Sequence, residues 1–190
     1  SRISGHEAAQ RLITRAGLYG VQIEAVRGKM TDHYDPRSKT LRLSQGVAQG
    51  ASVASLAIAA HELGHAMQDS EDYLPLKMRA AMVPMVNIGS YLGWILIMAG
   101  LFFNFINIAW LGVAFFAGGA LFALMTLPVE FDASARAKKL LAETGIIQTE
   151  EEQRGVNKVL NAAALTYVAA LVTAVLQLLY YASLLSGRRR

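Results

Sequence analysis

With 190 residues, 54% of them hydrophobic and only 17% charged, the chain is too apolar for an ordinary soluble domain. A net charge of +4 would suit a nucleic-acid partner, but no basic run interleaved with aromatics is present, and Lys and Arg gather beside anionic lipid for independent reasons, so nucleic acid is discounted. The absence of cysteine excludes disulfides and thiolate ligands, leaving His and carboxylates as the only material for a metal site.

Ser4-Gly5-His6-Glu7 has the form of a capping box. It opens a predicted helix whose apolar positions Ala8, Leu12, Ile13 and Ala16 recur at helical spacing until Gly17, with His6 solvated in the first turn. Residues 21–26 alternate as a half-buried strand, and Thr40–Ser44 does the same. Between them, residues 32–38 are dense in turn formers and read as a loop, so a small α-β-β unit is expected. The second strand is expected to offer a sheet edge to an extended peptide, with Leu41 and Leu43 also suited to covering a core. Gly46, Gly50 and Ser52 then break the chain ahead of an apolar helix.

That helix carries His61-Glu62-Leu63-Gly64-His65. At 3.6 residues per turn the two imidazoles lie on one face, one turn apart, where both reach a single metal ion. Glu62 is placed to work on a water held by that metal, the division of labour of HExxH zinc peptidases. The flanking Ala57, Ile58, Ala59, Ala60, Ala66 and Met67 predict a largely buried helix, and buried charged groups need partners that a metal supplies.

Residues 83–127 contain no charge and no His, enough for two membrane crossings of roughly 20 residues each. Asn104-Phe105-Ile106-Asn107 is the expected turn between them, with Pro84 and Pro128 near the outer ends. Glu150-Glu151-Glu152 is expected to start a surface helix. Residues 159–185 are again without formal charge and span a third time, with Tyr180 and Tyr181 near one interface and Arg188, Arg189 and Arg190 beyond it. The expected organisation is a catalytic region over residues 1–80, a transmembrane hairpin over 83–127, a connecting segment over 128–158 and a last span over 159–185. The fold class that follows is mainly α and integral to the membrane, with three transmembrane helices and a small α+β zincin-like catalytic domain at the membrane face.

A catalytic zinc takes a third protein ligand and leaves its fourth position to water. Two crossings return the chain to the side it left, so Glu130, just after the hairpin, is the leading candidate; Asp132 and His33 are the alternatives. Ten Lys and Arg residues before Ala80 and five between Pro128 and Lys158 make fifteen of the eighteen, while the hairpin turn carries none. The positive-inside rule therefore predicts a cytoplasmic catalytic face, although it exports the terminal arginines.

The HELGH segment, the hairpin and Pro128-Val129-Glu130-Phe131-Asp132-Ala133-Ser134 together resemble the bacterial membrane zinc metallopeptidases of the YugP-like family. Residues 32–40 and 160–168 also look like segments of that family, and the order of motif, hairpin and Glu is more distantly similar to the HtpX and CAAX-processing peptidases. The resemblance implies one zinc ion per chain, with His61, His65 and Glu130 as ligands and Glu62 as catalytic base. It also implies an endopeptidase acting on membrane-associated or unfolded polypeptides, and a further membrane helix ahead of residue 1. In the HtpX-type pattern an Asp follows four residues after the Glu; Ser134 stands there, so either Ser134 or Asp132 is expected behind a histidine, or the support of the ligands is built differently. Arg136, His33 and Tyr34 are the candidate oxyanion donors.

The competing class is a non-catalytic metal-binding membrane scaffold or a small transporter. A transporter places ionisable groups inside its spans, and these spans have none. A degenerate scaffold would be expected to lose Glu62, which is present.

Overall fold

The computed structural model describes residues 3–187, so the terminal arginine cluster lies outside the described residues. Helix α1 (Gly5–Ala16) begins where the side chain of Ser4 accepts the Glu7 N–H at 3.2 Å. The Glu7 carboxylate binds Arg11 one turn on, at 2.7 Å. Gly17 ends the helix at φ 68°, a left-handed conformation that costs an L side chain but not glycine, and the N–H of Leu18 closes on Ile13.

Strands β1 (Gln22–Val26), β2 (His33–Asp35) and β3 (Thr40–Ser44) form a sheet in the order β1-β3-β2, with β1 parallel and β2 antiparallel to β3. Two expectations change here. The segment read as a loop contains β2, and the strand expected at the edge is the central one. Leu41 and Leu43 are fully buried because β3 is covered on one face by helices, and its pairing on both sides leaves β1 and β2 as the edges. The tight return from β2 to β3 is organised by Asp35, which accepts from the Arg37 N–H at 3.0 Å, Ser38 at 2.9 Å and Arg42 at 2.9 Å.

After the short helix α2 (Gln45–Gln49), Ser52 caps α3 (Val53–Ser70) by accepting the Ser55 N–H at 3.1 Å. The buried face of α3, with Leu56, Ala59, Ala60 and Leu63, joins Ala8 and Leu12 of α1 and the two leucines of β3 in one core. Helices α4 (Leu74–Phe102), α5 (Ile106–Glu143) and α6 (Glu150–Gly187) complete the chain, and Glu150 opens the last as expected.

Two compact units result: the chain through Tyr73 with Val129–Ala164, and Leu74–Pro128 with the chain from Leu165 onward. In the first unit, Ala137, Leu140, Leu141, Val156 and Leu160 from α5 and α6 extend the core. In the second, α4 and α5 approach to backbone contact. A Cβ on Gly93 would meet the Gly112 carbonyl oxygen at 2.8 Å, and one on Gly100 would meet the Ala109 nitrogen at 2.5 Å.

Three helices, α4, α5 and α6, are long and apolar enough to cross a membrane, and the protein is a mainly α membrane protein with a small α+β region. The helices outrun the uncharged blocks, so Pro84 and Pro128 lie within α4 and α5. An uncharged block marks the apolar length, and a helix can continue beyond it into polar surroundings. The connection between α4 and α5 is only residues 103–105, with Asn104 at φ 60°, and Ile106 and Asn107 already belong to α5.

Candidate metal centre

Helix α3 presents His61 and His65 one turn apart, their rings edge to face at 4.9 Å. Glu130, on α5 and only 2% exposed, reaches both: its Oε2 lies 3.1 Å from His61 Nε2 and 3.6 Å from His65 Nε2. One ligand atom from each residue falls within 4.8 Å of the others, the one such group among the described residues. Zinc bonds of roughly 2.0–2.2 Å in a tetrahedral arrangement set donor atoms about 3.3–3.6 Å apart, and the two distances to Glu130 bracket that spacing closely. A donor set of two imidazoles and one carboxylate therefore fits a zinc ion.

Glycine at position 64 makes this convergence possible. A Cβ there would be driven into the Ala133 carbonyl and would stand 3.0 Å from its carbonyl carbon and Cα, so α3 and α5 touch backbone to backbone between the histidines and Glu130. Gly64→Ala is expected to destabilise the protein by about 1–3 kcal/mol, the usual cost of overpacking, and to weaken metal binding by moving Glu130 outward. Thermal unfolding and metal titration of the variant check this; wild-type values for both would show that the contact relaxes freely.

Glu62 points toward the sheet, where its Oε2 accepts the N–H of Tyr34 on β2 at 3.1 Å. Burial pushes its carboxyl up from the ordinary range, a push the neighbouring His65 and His61 oppose and Glu130 adds to. The Tyr34 hydroxyl donates to Asp69 at 2.8 Å, and with desolvation as the larger cause this contact raises the phenol well above its usual range.

Ser134 and Asp132 occupy separate positions behind the histidines. The Ser134 hydroxyl lies 3.2 Å from His61 Nδ1, whereas Asp132 accepts from Gln68, whose carbonyl oxygen faces His65 Nδ1 at 2.9 Å. Arg136 binds Asp132 at 2.6 Å and Glu71 at 2.7 Å, with its guanidinium 5.7 Å from the centre of the Tyr73 ring. Its charge is thus held within an ion-pair network. His33 sits exposed on β2 with Nδ1 2.8 Å from the Thr31 carbonyl oxygen, outside the histidine-glutamate group, as is Asp132. Gln68 does not stand out in the sequence; its one signal is a polar residue three positions beyond His65 on a face otherwise destined for burial.

The chain belongs to a family of metallopeptidases: the family model described as "Putative neutral zinc metallopeptidase" matches residues 1–186. It is 44% identical over 186 residues to the protein named "Putative membrane protease YugP" of Bacillus subtilis (strain 168), an alignment covering 97% of this chain and 82% of that protein. No solved structure matches it.

Proposed function

We propose that the protein is an integral-membrane zinc endopeptidase that hydrolyses membrane-associated or unfolded polypeptides. The observation that carries this reading is the buried convergence of His61, His65 and Glu130 with Glu62 on the next position of the same helix. His61, His65 and Glu130 would hold one zinc ion per chain. When bound, zinc supplies Lewis acidity toward a scissile carbonyl and acidifies water. Glu62 accepts a proton from the attacking water and delivers it to the amine as the C–N bond breaks. The Tyr34 N–H holds one Glu62 oxygen in place, and burial favours a carboxyl able to carry that proton. Because β2 is an edge of the sheet beside Glu62, an extended chain is the substrate conformation we expect along it, with the Tyr34 N–H already given to Glu62. The three apolar helices supply the bilayer partner and a reason for membrane-associated targets.

Metal analysis of the detergent-purified protein is expected to return one zinc per chain. Cleavage of an unfolded polypeptide should stop on chelation and return with added zinc. Cleavage that persists after complete metal removal overturns the mechanism, and zinc without cleavage of any unfolded or membrane-bound substrate supports a metal-binding scaffold.

We further infer a cytoplasmic catalytic face from the fifteen basic residues flanking the hairpin on one side and their absence from its turn. A cysteine introduced at Asn104 should react with an impermeant reagent outside intact cells and one at Gln148 should not. The reverse pattern would invert the orientation.

A further inference from the structure

Gln68 is completely buried, at 0% exposure, in a place where an unpaired amide would be costly. All of its polar groups are engaged. Its Nε2 donates to the Val129 carbonyl oxygen at 2.8 Å and to Asp132 Oδ2 at 2.8 Å, and its Oε1 lies 2.9 Å from His65 Nδ1. A carbonyl oxygen and a carboxylate paired with Arg136 can only accept, so the amide has one permitted orientation. The atom it turns to His65 is therefore an acceptor. His65 must donate Nδ1–H, which in a neutral imidazole leaves the lone pair on Nε2, the nitrogen 3.6 Å from Glu130 Oε2.

From this geometry we propose that Gln68 is a positioning residue: it sets His65 in the Nδ1–H tautomer and ties that imidazole to the turn of α5 that carries Glu130. The proposal rests on the reading of His65 and Glu130 as metal ligands. The two anchors of the amide, the Val129 carbonyl and the Asp132 side chain, flank Glu130, so a single side chain ties the ring of one ligand to the helical turn that carries the other. Arg136 closes the arrangement by holding Asp132 and reaching Glu71 at the C-terminal cap of α3. An apolar residue of similar shape would preserve the packing and lose the instruction about which nitrogen carries the proton. That difference separates a positioning role from a merely structural one.

The test uses the full chain in detergent with 15N-labelled histidine, its His65 signals identified by their loss in His65→Gln. Two-bond 1H–15N correlations of the metal-free protein, recorded at a pH high enough that the ring carries a single proton, report the tautomer directly, and zinc affinity is measured by competition with a chromogenic chelator. In the wild type His65 should be Nδ1–H. In Gln68→Met it should move toward Nε2–H, and zinc affinity should fall roughly 10–100-fold, the usual effect of losing a partner behind a metal ligand. Gln68→Glu keeps an acceptor toward Nδ1 and, with burial and the Asp132 carboxylate favouring a proton on its other oxygen, one donor toward Asp132, so it should retain the wild-type tautomer and serves should the methionine variant fail to fold. An Nε2–H wild type, a tautomer unchanged in Gln68→Met, or one lost in Gln68→Glu overturns the proposal. If the tautomer follows residue 68 in a chain that takes no zinc, the positioning of His65 stands and the metallopeptidase reading fails.

Discussion

Glu62→Gln is expected to retain zinc at wild-type stoichiometry and to lose peptide hydrolysis by roughly 10²–10⁴-fold, the range general base catalysis contributes. The amide has nearly the shape of the carboxylate, and its carbonyl oxygen can still accept the Tyr34 N–H that Glu62 Oε2 receives at 3.1 Å. The link between α3 and the edge strand therefore survives. An amide cannot take a proton at neutral pH, so only the proton transfer is removed. The buried setting sharpens the contrast: desolvation raises the Glu62 carboxyl, against the lowering influence of His65 and His61. Peptide cleavage and metal content measured on the same preparation decide the matter. Loss of zinc would assign Glu62 to holding the site together, and retained turnover would remove it as the base.

The parts of this site legible in the sequence are those governed by local periodicity. Four-residue spacing alone puts His61 and His65 on one helical face, and a long uncharged block is enough to anticipate the paired helices α4 and α5. Glu130 was reachable because a hairpin returns the chain, an inference from the number of crossings. Strand β2 was hidden for the opposite reason: it has three residues among turn formers and exists through pairing with β3, in a register from His33 opposite Arg42 to Asp35 opposite Thr40. Central or edge position likewise depends on the parallel pairing of β1 with β3, which alternation within either strand does not encode. The sequence offers Ser134 or Asp132 as a single partner for one histidine, and the structure uses both. One lies at His61, while the other reaches His65 only through Gln68, a division that depends on the rotation of α5 against α3. Gly64 belongs to the same class of information: its need for backbone contact with Ala133 becomes visible only when the two helices are together.

His61→Ala and Glu130→Ala are each expected to leave the purified protein without stoichiometric zinc, with a loss of affinity exceeding the roughly 10–100-fold that removal of an outer partner costs. Each substitution leaves only two of the three donors, and the two helices contribute unequally. Removing His61 leaves Glu130 Oε2 still 3.6 Å from His65 Nε2, one donor from each helix. Removing Glu130 takes away the sole donor on α5 and the only carboxylate of the set, leaving two neutral imidazoles to hold a doubly charged ion. Glu130→Ala should therefore be the more damaging of the two. Far-ultraviolet circular dichroism of the metal-free variants separates loss of the site from loss of the fold: helicity should be unchanged while zinc, measured by competition with a chelator, is lost. If both variants keep full zinc stoichiometry, these residues are not the ligands, and Asp132 and His33 return as candidates that would require α5 or β2 to move before they could join His65.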